Sequence, residues 1–309
     1  MPVIKKIQHI LEYAGLRILV CIITLLPAPA AIRLGRGIGA ALRFVFRSRM
    51  RLAHDNLQLA FGDSLSFAAR SSIIDRLLRM QGESLIESII GTRESIAQHV
   101  TIEGMEHLDR ALEKKKGVIL LGPHFDMWEL AGYIFGAHLD SVATVYKSLK
   151  NPYVNQYLIK TREKSNLGLI PSKSALRPVF SRLKKGEAVV MMFDQNTGRN
   201  GVPVKFFGKT AMTYSAPATF ALRTGCSVIP SYMFKEPGFR RHRLIIKEPF
   251  QLISTGDMEK DTLDNTQRYN DFFEDLVRRH PEQWFGWLHR RWKLPRTYSA
   301  AAAQGGSQL

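Results

Sequence analysis

Residues 117–135 read GVILLGPHFDMWELAGYIF. Gly117 opens and Gly122-Pro123 closes a short apolar run, Val118 to Leu121, with the length and punctuation of a buried strand. A helix is expected to begin just afterwards, near Asp126. His124 therefore falls in a strand-to-helix turn, where a rigid sheet commonly presents reactive groups.

The pattern repeats outward from this unit. Apolar runs closed by Gly or Pro recur at VATVY (142–146), LGLIP (167–171), AVVMMF (188–193) and CSVIPSYMF (226–234), with a further run at LIIKEPF (244–250). Helical stretches lie between them. Such alternation predicts an α/β fold with a central, mostly parallel sheet flanked by helices. Upstream, residues 56–103 carry apolar residues at helical spacing (Ile73, Leu77, Leu78, Leu85, Ile86, Ile89, Ile90) and are expected to form a helical lead-in. Residues 265–280 return to helical spacing, and PEQWFGWLHRRWK (281–293) is aromatic and basic. Residues 48–298 are thus expected to form the main α/β domain, and the tail 299–309, SAAAAQGGSQL with its first Ser at 299, is expected to be disordered.

The chain has 44 Lys and Arg against 27 Asp and Glu in 309 residues, a formal net charge of +17. Such a surface selects anionic partners: a lipid leaflet, an acidic protein or nucleic acid. The N-terminus begins basic (Lys5, Lys6) and then runs without charge from Ile18 to Ile32, interrupted by Pro27 and Pro29. That stretch falls short of the roughly 20 apolar residues of a bilayer span unless Ala14 to Leu16 lengthen it. No small-residue cleavage site followed by a polar start supports a removable signal. Residues 1–47 therefore read as a retained anchor or a pair of interfacial helices on an anionic membrane, with the flanking Lys and Arg placing the α/β domain on the cytoplasmic side. Cys21 and Cys226 sit in apolar runs away from zinc-like spacing and read as packed thiols.

Five positions separate His124 from Glu129. On one straight helix they would face apart, so they can meet only if His124 precedes the helix and Glu129 occupies its first turn. There the helix dipole favours a carboxylate, which would fix the imidazole tautomer while the other ring nitrogen takes a proton from an alcohol. The same residues also fit a capping box, with Asp126 at the N-cap and Glu129 three residues on.

Taken together, GPHFDMWE (122–129), the block FDQNTGRNGVPVKFFGKTAMTYSAPATFALRTGCSVIPSY (193–232) and the ending PEQWFGWLHRRWK resemble the late acyltransferases of lipid A biosynthesis, the lauroyl and myristoyl transferases of the lysophospholipid-acyltransferase-like superfamily. The resemblance spans roughly Gly15 to Lys293. It implies a glycerolipid-acyltransferase-like fold, a catalytic His-x4-acid pair at His124 and Glu129, and an enzyme of the bacterial inner membrane. Asp126-Met127 stands where members often carry Gly-Asn. Arg162 matches the family's arginine of the active-site cleft, suited to a lipid phosphate or to the oxyanion on an acyl carbonyl. Asp194 and Gln195 at the end of the run 188–193, with Arg199 and Lys205 beyond, complete the expected substrate-binding set. Ser215 and Thr219 lack a nucleophile elbow and read as helix packing.

The reaction so implied moves a fatty acyl chain from a thioester, on acyl carrier protein or coenzyme A, to a hydroxyl of a lipid A precursor, with no metal or cofactor. The acidity of acyl carrier protein suits the basic chain. A lysophospholipid, glycolipid or aminolipid acceptor is the nearest alternative. Two other classes stand beside it. A basic nucleic-acid-binding protein would lack turnover, although the dispersed charge and the missing zinc and RNA-binding motifs speak against that partner. A membrane scaffold would use His124 and Glu129 only as local structure.

Overall fold

The computed structural model describes residues 3–295 apart from Thr92, Lys164, Ser165 and Phe239; the expected disordered tail, 299–309, lies outside the described residues. The chain begins with α1 (Val3–Thr24), α2 (Ala28–Val45), α3 (Arg47–Phe61), α4 (Phe67–Ile90) and the single turn α5 (Arg93–Ala97). The sheet region follows as β1 (Val100–Glu103), α6 (Met105–Leu112), β2 (Val118–Gly122), α7 (Trp128–His138), β3 (Val142–Tyr146), α8 (Pro152–Glu163), β4 (Leu167–Pro171), α9 (Leu176–Lys184) and β5 (Ala188–Met192). A hairpin, β6 (Val202–Phe206) and β7 (Lys209–Thr213), precedes α10 (Ala216–Thr224), β8 (Ser227–Lys235), β9 (His242–Ile246) and α11 (Met258–Arg279).

Seven strands form one sheet in the order β1-β9-β8-β2-β5-β3-β4. Every neighbouring pair is parallel except β8 with β9. The expected α/β architecture is therefore present. Strand β2 lies at its centre, buried on both sides, which is why its residues read as one apolar run without alternation. Ile119 and Leu121 face the helices α3, α4 and α9 to α11, while Val118 and Leu120 face α6 and α7.

Two elements differ from the expectation. Strand β1 falls inside the predicted helical lead-in; it is an exposed edge strand of four residues and offers no apolar alternation to read. The β6–β7 hairpin turns at Phe207 and Gly208, both with positive φ, and its alternating burial marks it as a ribbon packed on α11.

The N-terminal helix is longer than the uncharged stretch suggested, because α1 starts at Val3 and carries Lys5, Lys6, Glu12 and Arg17 within it. Most of its apolar side chains are exposed, among them Ile4, Leu11 and Ile18. One stripe docks on α8, where Asn151 Nδ2 donates to the His9 carbonyl (2.9 Å) and Tyr13 stacks on Tyr153. Cys226 is buried as expected, whereas Cys21 is exposed, because it lies on the outer side of α1 rather than in a core. Helix α2 packs on α4 at backbone contact: a Cβ on Gly82 would stand 2.1 Å from the Gly35 carbonyl oxygen, and one on Gly39 2.1 Å from that of Leu78. Glycine is what lets these two helices approach so closely.

Candidate active site

Strands β2 and β5 run side by side in parallel, with Gly122 paired to Met192. Two residues beyond each of these partners stand His124 and Asp194. The pairing carries them out of the sheet at the same level, and His124 Nδ1 lies 2.6 Å from Asp194 Oδ1. Asp194 Oδ2 also accepts from the His124 backbone N–H (2.9 Å) and from Trp284 Nε1 (2.7 Å). Burial alone would raise the Asp194 carboxyl, but the imidazole and these donors outweigh it and hold the group at about 2, below the ordinary 3.8. A carboxylate so placed fixes the proton of His124 on Nδ1 and leaves Nε2 as an acceptor. Gln195 Nε2 stands 3.3 Å from that nitrogen, where its N–H can donate.

The C-terminal aromatic run holds this turn in place. The Phe285 N–H donates to the His124 carbonyl (3.0 Å), and Phe125 bridges Trp284 in antiparallel fashion. Trp284 and Trp287 are fully buried. Arg291 is buried as well, donating to the Met212 carbonyl (3.2 Å), Thr213 Oγ1 (2.7 Å) and Asn270 Oδ1 (3.1 Å). Burial lowers its guanidinium to about 10.

The carboxylate bonded to His124 is thus Asp194, not the expected Glu129. Helix α7 starts at Trp128, and Glu129 in its first turn reaches Arg162 of α8, with Nη2 to Oε1 at 2.5 Å. Glu129, Arg162 and His124 nevertheless line one cavity of about 180 Å³, walled by Trp128, Gly132, Val145, Leu167, Val190 and Met192. Its lining combines these apolar walls with the charged groups of Glu129, Lys147 and Arg162. The capping-box alternative does not hold. Met127 is the N-cap and no side chain caps the helix; Asp126 is buried with φ of 42°, bonded to Ser84 Oγ (2.7 Å) and His242 Nδ1 (2.5 Å).

Arg199 stands farther out, in an open basin that also includes Gln195. Lys205 is not brought to His124: it sits on β6, its backbone bonded to Gln267 and Asn270 of α11 and its Nζ near Thr210 Oγ1. Ser215 and Thr219 belong to the α10 turn, where Thr219 Oγ1 donates to the Ser215 carbonyl. His289, Asn196 and Arg290 were not among the expected binding residues; they line the basin beside Gln195. Burial keeps the His289 imidazole below its ordinary value, and the adjacent His124 adds to that. Among the described residues no cluster of His, Cys, Asp and Glu suits a metal ion.

A strand-end imidazole oriented by a buried carboxylate, lining a partly apolar cavity together with an arginine, is equipped to deprotonate a hydroxyl. The known proteins that this chain resembles are named as acyltransferases. It is 30% identical over 276 residues to the lipid A biosynthesis palmitoleoyltransferase of Escherichia coli (strain K12), covering 87% of this chain and 86% of the relative. It is 30% identical over 292 residues to the lipid A biosynthesis lauroyltransferase of the same organism, covering 93% and 92%. A phosphatidylinositol mannoside acyltransferase of Mycobacterium tuberculosis (strain ATCC 25618 / H37Rv) is 30% identical over 190 residues, 59% of this chain and 57% of that one. The sequence pattern of the bacterial lipid A biosynthesis acyltransferases matches residues 2–294, and the chain belongs to that family of acyl-transferring enzymes.

Proposed function

We propose that the protein transfers a fatty acyl chain from a thioester, carried on acyl carrier protein, to a hydroxyl of a lipid A precursor at the inner membrane. The observation that carries this reading is Asp194 Oδ1 at 2.6 Å from His124 Nδ1, which assigns the ring proton to Nδ1 and leaves Nε2 as the acceptor on a residue that lines one cavity with Arg162. The acceptor hydroxyl displaces Gln195 from Nε2 and loses its proton to it as its oxygen bonds to the thioester carbon. Asp194 stabilises the imidazolium so formed. Arg162, held by Glu129, faces the oxyanion of the tetrahedral intermediate. Collapse breaks the carbon–sulfur bond, and the departing thiolate takes the proton back from His124. No covalent enzyme intermediate is required.

Helix α1, 22 residues of mostly exposed apolar surface, supports membrane association by length and composition. The excess of cations favours the cytoplasmic face and an acidic carrier protein. An acceptor such as phosphatidylinositol mannoside is the second reading, because one of the relatives carries that name.

Expression of the chain in a strain lacking its own late acyltransferase, followed by mass spectrometry of extracted lipids, identifies acceptor and acyl length together. Added mass of one acyl chain on the lipid A precursor is expected, and it should vanish with His124→Ala. Full transfer by that variant would refute the mechanism.

A further inference from the structure

An open basin of about 740 Å³ lies beside the reaction centre and shares Gln195 with it. Four cationic side chains line it: Arg49 from α3, Arg199 from the turn after β5, and Arg290 and Lys293 from the C-terminal run. No Asp or Glu lines it, and none of the four is ion-paired among the described residues. The comparable basin between α2 and α4, about 680 Å³, is different in kind. It includes Glu83, Glu236 and Glu282, and four of its cations, Arg36, Arg79, Lys235 and Arg243, are paired with carboxylates.

The frame of the first basin is fixed. Asn196 Nδ2 donates to the carbonyls of Arg290 (3.0 Å), Arg291 (3.0 Å) and Lys293 (2.7 Å), and its Oδ1 accepts from the Gly198 N–H (2.7 Å). One amide thereby locks the Arg199 turn to the segment carrying Arg290 and Lys293, with buried Arg291 as its anchor. Like charges converging on a rigid hollow repel each other unless an anion joins them. A phosphoryl group, with about two negative charges and several acceptor oxygens, matches cations arriving from three segments, and arginine suits it bidentately.

We propose that this basin is a phosphoryl subsite, with Arg199, Arg290 and Lys293 as its principal contacts, placing a substrate phosphoryl group next to the hydroxyl or thioester that reacts at His124. The inference rests on reading His124 as the reaction centre. The phosphoryl group belongs to the acceptor lipid's head group or to the phosphate-bearing arm of the donor.

The test uses the full chain in detergent and the triple variant Arg199→Gln/Arg290→Gln/Lys293→Gln, with thermal melting to confirm that it folds. Inorganic pyrophosphate titrated in a calorimeter should bind the triple variant about tenfold or more weakly than the parent chain. The single variant Arg199→Lys should retain most of the affinity. Steady-state kinetics then distinguish the sources. A KM raised about tenfold for a phosphorylated acceptor, but not for its dephosphorylated counterpart, assigns the acceptor. A KM raised for the thioester donor alone assigns the donor. Equal pyrophosphate affinity in the parent and triple variant, with neither KM moved, overturns the proposal. If the parent chain shows no acyl transfer at all, the reaction assignment fails, while the pyrophosphate comparison still decides the basin.

Discussion

The imidazole of His124 takes its carboxylate partner from seventy residues further along the chain: Asp194 lies 2.6 Å from Nδ1, while Glu129, five residues away, is bonded to Arg162. The two carboxylates should therefore fail differently when neutralised. Asp194→Asn removes the acceptor that fixes the tautomer and is expected to lower kcat about 10³- to 10⁴-fold with little change in KM. Glu129→Gln removes the ion pair to Arg162 and leaves the Asp194 bond to the imidazole in place, and should cost about tenfold, divided between kcat and KM. Comparable losses in kcat from the two variants would return Glu129 to the role of direct partner.

How much of this was legible in the sequence turns on strand pairing. Every sheet strand from β2 to β5, with β8 and β9, could be read from its apolar run and its Gly or Pro boundaries. Asp194 could be read as the polar end of one such run and His124 as the end of another. What a single sequence does not contain is strand order. Only the β2–β5 pairing, with Gly122 opposite Met192, makes positions 124 and 194 neighbours. The family resemblance implies Glu129 as the partner, and a helix expected near Asp126 makes that pairing reachable; the helix begins at Trp128, and Glu129 is bonded to Arg162. Lys205 enters the expected substrate-binding set with the block that carries the resemblance, while the alternating burial of residues 202–206 turns its side chain outward from a ribbon on α11.

The low value of Asp194, about 2 against an ordinary 3.8, has a consequence for acid stability. A depressed carboxyl contributes stability that is present above its unfolded value and is lost as pH falls through its folded one. Melting temperature should therefore fall between about pH 4 and pH 2. Asp194→Asn should show a shallower fall over that window, and Trp284→Phe, lacking one donor to Oδ2, an intermediate one. Parallel melting curves for all three chains would show that the pair contributes nothing to acid stability.

Helices α2 and α4 touch through backbone at Gly35, Gly39 and Gly82. Gly82→Ala must push α2 away, since its Cβ would meet the Gly35 carbonyl oxygen at 2.1 Å. The higher helix propensity of Ala offsets this by only about 1 kcal/mol, and overpacking costs about 1–3 kcal/mol. A net destabilisation in urea unfolding is expected. Gly37→Ala on α2, where a Cβ meets nothing within 4 Å, should be neutral or stabilising. A stabilised Gly82→Ala chain would contradict the close packing.

Ile4, Leu11 and Ile18 recur every seven residues on the outer face of α1 and are 83%, 65% and 61% exposed. Spacing of that kind keeps them on one stripe, clear of the side docked on α8. Replacing all three by Ser removes apolar surface without touching the core. Sedimentation with anionic vesicles should then weaken about 100-fold, at roughly 1 kcal/mol or more per side chain, while the melting temperature holds. Unchanged sedimentation would remove α1 as the membrane contact.

Beside the His124 turn lies a buried group of charges. His242 donates from Nδ1 to Asp126 Oδ2 (2.5 Å) and from Nε2 to Glu87 Oε2 (2.6 Å), and Lys235 pairs with the other Glu87 oxygen. Burial lowers an imidazole, but the two carboxylates outweigh it and raise His242 to about 9. Both ring nitrogens donate, as an imidazolium must. A raised value contributes stability that is complete below the unfolded value, near 6.5, and is lost as pH rises through 9. The melting temperature should therefore decline between pH 7 and 10. His242→Gln should be less stable by about 3 kcal/mol at pH 6, because it leaves buried Asp126 without its cation and Glu87 with Lys235 alone, and should lose that decline. Asp126 stands two residues from His124 with φ of 42°, a backbone conformation that surrounding bonds must maintain. Loss of the imidazolium would loosen the turn that aims His124. The kcat of the parent chain should accordingly fall above pH 9 in step with the melting temperature, and an alkaline limb of kcat that survives in His242→Gln would separate the two events.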